Sequence, residues 1–373
     1  MIIGVDIRTF VASQITGVGI YTWEILNQLF SRDNKNSYKL FFNQARGNIL
    51  PKIRNLKNFS NVTIVERHFP SKLFNLSLNY FRRPALDKLV GGADVFWFPN
   101  LNFWQVGRQV KTVVTIHDLS FLKLPWAFSP KMRLWHKVIK PREKLEQAHK
   151  IIAVSQNTKR DLMELYSLPA EKIAVVYSGT IVEQSFLKVE QVKKKYNLPD
   201  NFILFLGTLE PRKNVEGVIA AFNLINRPDL NLIIVGGRGW LYKRIYQLAK
   251  NSPLSKQIRF TDYILPSDRF AFYQSAKMFI WPTFYEGFGF PPLEAMKFGC
   301  PVITSNNSSL PEVMGEAALL INPYNTKEIA WAINQLLTNE VLRQDLISRG
   351  YRQVKKFSWQ KTAAQMLEVF QSL

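Results

Sequence analysis

The sequence predicts an α/β protein with two doubly wound domains, and three observations carry this prediction. The chain has 373 residues, which is long for a single hydrophobic core. Short apolar runs alternate with helical segments along it, a pattern typical of βαβ units and parallel sheets. The alternation occurs in two separate series with a charged stretch between them. We therefore expect two doubly wound domains that face each other across a cleft.

The predicted strands are apolar runs that end at turns or polar pairs. The first series comprises residues 2–5, 38–42, 62–65, 95–98, 111–116 and 151–154, and the second comprises 202–206, 230–235, 258–260, 278–281 and 301–304. Helical patterns cover 19–30 and 215–224, and Ser358 is the expected N-cap of a last helix through Phe370. The predicted division is a domain over 1–180, a linker over 181–199, a domain over 200–350 and a C-terminal helical segment over 351–373.

Composition excludes several classes of protein. Apolar residues make up 47% of the chain and aromatic residues 13%, so the chain can bury substantial cores and is not disordered. The apolar runs are too short to span a membrane, and the N-terminal run lacks a basic region before it. The single cysteine, Cys300, excludes an internal disulfide and a cysteine-based metal cluster. We expect a cytoplasmic protein.

The charge is strongly positive and unevenly distributed. The formal net charge is +21; residues 1–180 hold 26 Lys and Arg against 12 Asp and Glu, and the remainder holds 23 against 16. Such a field favours anionic partners: nucleic acid, anionic lipid headgroups or phosphorylated small molecules. Charge alone does not choose among them.

The stretch from Tyr285 to Met296 is the most informative motif. Glu286 and Glu294 bracket a loop of glycine, phenylalanine and proline that runs into a helix. Gly287 and Gly289 let the backbone approach a ligand or adopt positive φ, and the proline pair suits the first turn of a helix. The motif therefore predicts a site that offers backbone amides to an anion and carboxylates to sugar hydroxyls.

A second motif follows the strand at 202–206. Gly207 stands at its carboxyl end, and Arg212 and Lys213 precede a helix, which in physical terms makes a diphosphate site. The alternative is an ordinary turn with solvated charges, and for an isolated Arg-Lys pair that alternative is favoured. Because the Glu286–Glu294 loop is expected at the same edge of the sheet, we favour the diphosphate site over the ordinary turn.

Weaker candidates lie in the first half of the chain. Gly17 and Gly19 open the first helix as either a plain turn or a loop that approaches a ligand. His117 and Asp118 leave a strand as either an end cap or a pair that reaches a substrate hydroxyl. The stretches 71–83 and 131–144 mix cations and aromatics, which is consistent with a membrane-surface patch or with solvated helix faces whose aromatics enter the core. No metal-binding or Walker A motif occurs, so we expect no metal.

Together these motifs resemble the retaining GT-B glycosyltransferases often called group one (glycosyltransferase family four). The likeness covers nearly the whole chain and is strongest at 207–214 and at Glu286–Glu294, with support from Gly17–Gly19, His117–Asp118 and the run 308–312. It implies two Rossmann-like domains, the first for the acceptor and the second for a nucleotide sugar, and a last helix that returns to the first domain. Ile20 departs from the family, which often has Arg at that position.

The resemblance also implies residue roles. Arg212 and Lys213 would neutralise the leaving diphosphate, and Glu294 would hold the ribose hydroxyls. Glu286 would contact the donor sugar together with backbone amides of the 288–290 loop. His117 would face the sugar ring from the first domain. The full predicted set is Glu286, His117, Arg212 and Lys213 for catalysis, with Gly17, Gly19, Gly207, Phe288, Gly289, Phe290 and Glu294 for donor binding.

The form of the two strong motifs looks most like bacterial mannosyltransferases of this family, which implies GDP-mannose as donor, with a UDP-sugar next. The implied acceptor is a glycan or lipid-linked saccharide at the inner face of the membrane, reached without a divalent metal. Two rival functions stay open from the residues alone. A sugar-nucleotide epimerase or hydrolase would release nucleotide without transfer, whereas a basic nucleic-acid-binding protein would leave the acidic motif without a use.

Overall fold

The computed structural model describes residues 1–10, 17–45, 51–180 and 188–373. The chain folds into two compact units. The first unit comprises Met1–Leu119, Leu134–Gly179 and Ser358–Leu373, and the second comprises Ser120–Arg133 and Thr180–Phe357. Residues 181–187 of the predicted linker lie outside the described part of the chain, and helix Val189–Tyr196 occupies most of the rest of it.

All strands within the described residues belong to two parallel sheets. The first sheet has the order β3-β2-β1-β4-β5-β6-β7 and the second has the order β10-β9-β8-β11-β12-β13. The strands are β1 Ile2–Asp6, β2 Ser37–Asn43, β3 Val62–Arg67, β4 Val95–Phe98, β5 Lys111–Ile116, β6 Lys150–Ala153, β7 Ile173–Val175, β8 Phe202–Leu206, β9 Asn231–Val235, β10 Ile258–Thr261, β11 Met278–Trp281, β12 Val302–Ser305 and β13 Ala318–Ile321.

Helices connect the strands. They are α1 Gly17–Arg32, α2 Pro51–Arg54, α3 Ser71–Leu76, α4 Leu86–Leu89, α5 Ser120–Lys123, α6 Pro130–Ile139, α7 Pro141–Gln147, α8 Gln156–Tyr166, α9 Val189–Tyr196, α10 Val215–Ile225, α11 Lys243–Lys250, α12 Arg269–Ser275, α13 Phe290–Lys297, α14 Leu310–Met314, α15 Thr326–Thr338, α16 Glu340–Val354 and α17 Trp359–Gln371. Short 3₁₀ turns cover Pro125–Ala127 and Pro211–Lys213, and a π turn covers Ser77–Phe81.

Each sheet reverses its strand order beside its first strand. The reversal lies between β1 and β4 in the first unit and between β8 and β11 in the second. The central strands are buried on both faces: every residue of β4, β8, β11 and β12 is buried. This burial explains why they read as continuous apolar runs, since helices cover both faces of a doubly wound parallel sheet. The predicted fold class is confirmed, and ligands of such sheets bind outside the carboxyl ends of the strands at the reversal.

Local sequence explains several helix boundaries. The side chains of Ser155, Asn325, Asn339 and Ser358 each accept a backbone N–H of the helix that follows. The expected cap at Ser358 is thereby confirmed. β13 was not predicted, because Ala and Leu favour helices and the run is four residues long; pairing with β12 overrides that preference.

The last helix belongs to the first unit. α17 packs beside α1, with the Trp359 ring 5.9 Å from Tyr21 and the Phe370 ring 6.1 Å from Trp97. The returning segment begins at Ser358, so residues 351–354 belong to α16 of the second unit. No helix within the described residues is both long enough and apolar enough to cross a membrane.

One segment departs from the order of the sequence. Residues 120–133 belong to the second unit, although the chain before and after them forms the first. Leu124, Ala127 and Phe128 are buried there with Tyr285, and the Trp240 indole N–H donates to the Ala127 carbonyl at 2.5 Å. We call residues 120–133 the strap. The predicted domain over 1–180 did not separate it.

Candidate active site

The site in the second unit begins with a side chain that ties three loops together. Asn214 caps α10: its Oδ1 accepts the Gly217 N–H at 3.2 Å. Its Nδ2 donates to the carbonyls of Pro282, at 3.0 Å, and Pro323, at 2.8 Å. These carbonyls follow β11 and β13, so one amide joins the carboxyl ends of β8, β11 and β13. The loop that carries Arg212 and Lys213 is fixed by this joint.

Arg212 and Lys213 lie in a cluster with two buried carboxylates. Lys213 Nζ contacts Glu286 Oε1 at 2.5 Å, and Arg212 Nη1 contacts Glu286 Oε2 at 3.2 Å. Arg212 Nη2 is 2.9 Å from Glu210 Oε1. Glu210, Lys213 and Glu286 are all buried, and the Arg212 side chain is 13% exposed. The structure therefore brings the Arg-Lys motif and the first glutamate of the second motif into direct contact.

Backbone contacts fix the position of Glu286. The Tyr285 carbonyl accepts Arg212 Nη1 at 2.7 Å, and the Glu286 N–H donates to Ser308 Oγ at 3.0 Å. Ser309 Oγ donates to the Glu286 carbonyl at 2.9 Å. The loop after β12 therefore supports the loop after β11, which explains the Ser308–Ser309 pair of the supporting motif.

The cluster contains equal numbers of positive and negative side chains. Two cations face two carboxylates in a site largely removed from water, where Coulombic interactions are stronger than at the surface. An added anion competes with Glu286 for the guanidinium and the ammonium group. Arg212 offers a planar fork for two anionic oxygens and Lys213 a compact charge, which is the combination that suits a diphosphate.

Glycines shape both loops for different reasons. A Cβ at Gly207 would lie 2.4 Å from the Trp281 ring, so glycine is required for β8 to pack against β11. Gly289 has a φ of 105° and is the N-cap of α13, where positive φ favours glycine. Phe288 is buried, with its ring 5.4 Å from Phe290 and 5.6 Å from Phe357. The predicted ligand-binding roles of Gly207, Phe288, Gly289 and Phe290 stay predictions.

Glu294 lies on α13 and is held by two side chains of α12. The Tyr273 hydroxyl donates to Glu294 Oε2 at 2.9 Å, and Arg269 Nη1 is 3.6 Å from Oε1. Burial, followed by the charge of Glu294, raises the pKa of Tyr273 well above its usual value, so the hydroxyl stays protonated and donates. These contacts orient the carboxylate.

The remaining candidates lie in the first unit. His117 Nε2 is 2.8 Å from the Pro99 carbonyl, which can only accept, so Nε2 carries a proton. Burial lowers the pKa of His117, so the ring is neutral at pH 7 and Nδ1 is its acceptor. The Tyr21 ring meets the imidazole edge-on at 4.8 Å. Gly17 and Gly19 form the first turn of α1, while Thr16 before them lies outside the described residues.

The structure thus assembles part of the predicted set. Arg212, Lys213 and Glu286 touch one another, and Glu294 lies on the helix that the same loop enters. Sequence reasoning gave no role to Glu210, Tyr273 or Arg269, and the spacing of Glu210 two residues before Arg212 was the available signal. No cluster of three or more His, Cys, Asp and Glu in the described residues is arranged to hold a metal ion. Burial raises the pKa of the Cys300 thiol.

Comparison with known proteins agrees with this geometry. Residues 15–184 match the model "Glycosyltransferase Family 4", and residues 188–353 match "Glycosyl transferases group 1". The O-antigen chain mannosyltransferase B of Escherichia coli is 31% identical over 96% of this chain and 97% of its own length. The chain belongs to the group 1 glycosyltransferases. This membership confirms the resemblance and makes the protein a glycosyltransferase.

Other similar proteins extend the comparison. The serotype-specific mannosyltransferase WbdA of Escherichia coli is 33% identical over 70% of this chain, which covers 34% of that protein. Sucrose-phosphate synthase from Thermosynechococcus elongatus aligns with a TM-score of 0.75 and 19% identity over 100% of this chain and 98% of its own. Anabaena Alr3699/HepE in complex with UDP and glucose gives 0.75 and 17% over 100% of both chains. These structural neighbours share the GT-B fold.

Proposed function

We propose that this group 1 glycosyltransferase is a retaining enzyme that moves mannose from GDP-mannose to a hydroxyl of a glycan or lipid-linked saccharide without a divalent metal. The observation that carries the proposal is the contact of Arg212 and Lys213 with Glu286 at the carboxyl edge of the second sheet. The names of the Escherichia coli relatives, which are mannosyltransferases, support the sugar. We infer the guanine base of the donor from the form of the two sequence motifs.

In the proposed reaction the bond from the sugar C1 to a diphosphate oxygen breaks, and negative charge grows on the leaving group. Arg212 and Lys213 stabilise this charge, and stabilisation of developing charge by fixed groups is the largest single contribution in many enzymes. Both cations lie together at the carboxyl edge of the second sheet, where they can meet the leaving group. They supply the positive charge that a metal ion supplies elsewhere.

The other residues bind and orient the donor. Glu294, held by Tyr273, accepts hydrogen bonds from the ribose hydroxyls. Glu286 and the amides of the 288–290 loop meet the sugar, and the neutral His117 ring accepts a sugar hydroxyl through Nδ1. The acceptor hydroxyl attacks C1 on the face that the diphosphate leaves, and its proton passes to the leaving phosphate oxygen. The new glycosidic bond therefore keeps the configuration of the donor.

Ligand-induced stabilisation tests the donor and its chemistry. GDP-mannose at saturating concentration should raise the melting temperature more than GDP-glucose, UDP-glucose or ADP-glucose, because a ligand that binds only the folded state stabilises it by mass action. Stronger stabilisation by UDP-glucose would show that the donor is a UDP-sugar and not GDP-mannose. Proton NMR of the first product should show the α-anomer from α-linked GDP-mannose. Release of GDP without any glycan product would favour the epimerase or hydrolase alternative.

We also propose that the first unit docks on an anionic membrane at the cytoplasmic face. The π turn and α3 place Leu73, Leu76, Tyr80 and Phe81 at the surface with exposures of 64%, 49%, 64% and 72%, while Phe74 and Leu78 are buried. The segment 71–83 contains Lys72, Arg82 and Arg83 and no acidic residue. Aromatic and aliphatic side chains with flanking cations suit the headgroup region. Binding to anionic but not to neutral vesicles is the expected behaviour.

A further inference from the structure

A row of three aromatic side chains lies beside the charged cluster in the second unit. Phe284 is central: its ring is 5.4 Å from Trp126, edge-on, and 4.8 Å from Tyr324. Trp126 is 53% exposed and Tyr324 is 64% exposed. We call Trp126, Phe284 and Tyr324 the aromatic row.

The aromatic row is anchored to the catalytic loops. The Phe284 N–H donates to the Arg212 carbonyl at 2.9 Å, and Asn307 Nδ2 donates to the Phe284 carbonyl at 3.0 Å. Tyr324 follows Pro323, whose carbonyl accepts the Asn214 side chain. Phe284 and Tyr324 therefore stand at the carboxyl ends of β11 and β13, in the same joint that fixes Arg212 and Lys213.

Trp126 reaches the row from the strap. Its neighbour Ala127 and the residues Leu124 and Phe128 are buried, and Phe128 stacks on Trp240 at 5.8 Å. The strap is thus firmly packed on both sides of Trp126, yet more than half of the largest side chain in the segment is exposed to water. Exposed apolar surface held rigidly beside a site indicates a binding surface.

We propose that the aromatic row binds pyranose rings of the acceptor glycan, beyond the sugar that receives the new bond. This inference rests on the proposed glycan acceptor. The three side chains carry no charge, which suits a neutral hexose polymer, and the C–H face of a pyranose packs on aromatic faces while its hydroxyls stay in water. Trp126 and Tyr324 both rest against the Phe284 ring, so the row is assembled before a glycan binds.

The consequence is a dependence on acceptor length. A short acceptor reaches only the reacting position, whereas a longer chain also covers Trp126 and Tyr324. Affinity should therefore rise with the number of sugars, and the rise should depend on the row. Affinity for the donor should not depend on the row, because Arg212 and Lys213 are unchanged in variants of the row.

Direct binding tests the row without any need for turnover. Calorimetry would measure α-linked mannobiose and mannotetraose on the full-length protein and on Trp126→Ala, Tyr324→Ala, Trp126→Phe and Trp331→Ala. Trp331 is a matched control, since it is in the same unit and is also 53% exposed. We expect Trp126→Ala and Tyr324→Ala each to raise the Kd of mannotetraose about fivefold to tenfold and to leave mannobiose within about twofold. Trp126→Phe should keep most of the affinity.

Several outcomes would overturn the inference. It fails if Trp331→Ala weakens mannotetraose as much as Trp126→Ala does, or if no variant changes Kd. Competition of GDP with mannotetraose in the wild type would assign the row to the donor and would also overturn it. A drop in melting temperature without a change in Kd would show that Trp126 is a packing residue only. Stabilisation by GDP-mannose, measured on the same preparations, reports the proposed function separately.

Discussion

The two units hold their candidate site residues in opposite electrical conditions. In the second unit Arg212, Lys213, Glu210 and Glu286 form a network of charged groups that is largely removed from water. In the first unit His117 is a neutral ring between Tyr21 and the Pro99 carbonyl. In the proposed reaction the second unit would meet the charge of the diphosphate, and the first would offer uncharged hydrogen bonding to the sugar.

Titration separates the units further. All four histidines of the chain, His68, His117, His136 and His149, belong to the first unit. Burial lowers the pKa of His117 and His149, and lowers that of His136 to about 4. The charged candidate residues of the second unit are instead Arg, Lys and Glu, and none of them is a histidine. Variants and pH changes can therefore act on one unit at a time.

The largest expected effect comes from the charged network. Arg212→Ala/Lys213→Ala removes both cations that we propose to meet the leaving group, and we expect transfer to fall about a thousandfold or more. Initial rates with GDP-mannose and calorimetric donor binding check this. Arg227→Ala is the control. Arg227 pairs with Asp229 just before the amino end of β9, at the edge of the sheet opposite the carboxyl edge that carries the site. Near-normal turnover of the folded double variant would contradict the phosphate assignment.

A smaller effect is expected from the carboxylate on α13. Glu294→Gln should raise the KM for GDP-mannose about tenfold to a hundredfold, since a charged hydrogen-bond acceptor is lost. Tyr273→Phe removes the hydroxyl that orients this carboxylate and should raise KM a few-fold. The specific readout is a donor with 2′-deoxyribose. Wild type should discriminate against it, whereas Glu294→Gln should not; undiminished discrimination would disprove the ribose contact.

The membrane surface of the first unit should give about a tenfold effect. Leu73→Ser/Phe81→Ser removes two side chains that are 64% and 72% exposed, so folding should be little affected while partitioning onto anionic vesicles weakens. Co-sedimentation with phosphatidylglycerol-containing vesicles measures it, and Trp331→Ser in the second unit is the control. Wild-type binding that is equal on neutral vesicles, or insensitive to salt, would argue against this surface.

The smallest effect is acid sensitivity confined to the first unit. A histidine whose pKa is lowered by folding stabilises the protein fully above its unfolded value near 6.5, and this stability is lost as pH falls toward the folded pKa. Between pH 6.5 and 5, His136 alone should increase opening of the first unit by about tenfold. Hydrogen exchange, corrected for intrinsic rates, reports each unit. Equal increases in both units would count against the assignment. So would an acid sensitivity of the His136→Gln variant that equals that of the wild type.

Periodicity and turn chemistry were enough to predict much of the second unit. The apolar run before Gly207 is β8, and Arg212 and Lys213 stand between it and α10 as expected. The Gly-Phe-Pro-Pro stretch is a cap followed by α13, because Gly289 needs positive φ and proline suits the first turn. These features are local, so the sequence contains them directly.

Features that depend on distant contacts could not be predicted. Nothing near Asn214 indicates that its amide joins Pro282 and Pro323 across more than sixty residues. Tyr273 gains its role only because α12 lies against α13. The strap begins two residues after Asp118, and its place in the second unit depends on Trp240 and Tyr285, far along the chain. Long-range packing decided these positions.

The path of the chain has a consequence for biosynthesis and for protein engineering. Because the strap and α17 each belong to a unit built mainly from another stretch of sequence, neither unit is one uninterrupted polypeptide. Helix α17 must be synthesised before Phe370 can pack against Trp97 and Trp359 against Tyr21. A gene fragment that stops at residue 180 would therefore encode a first unit that lacks α17.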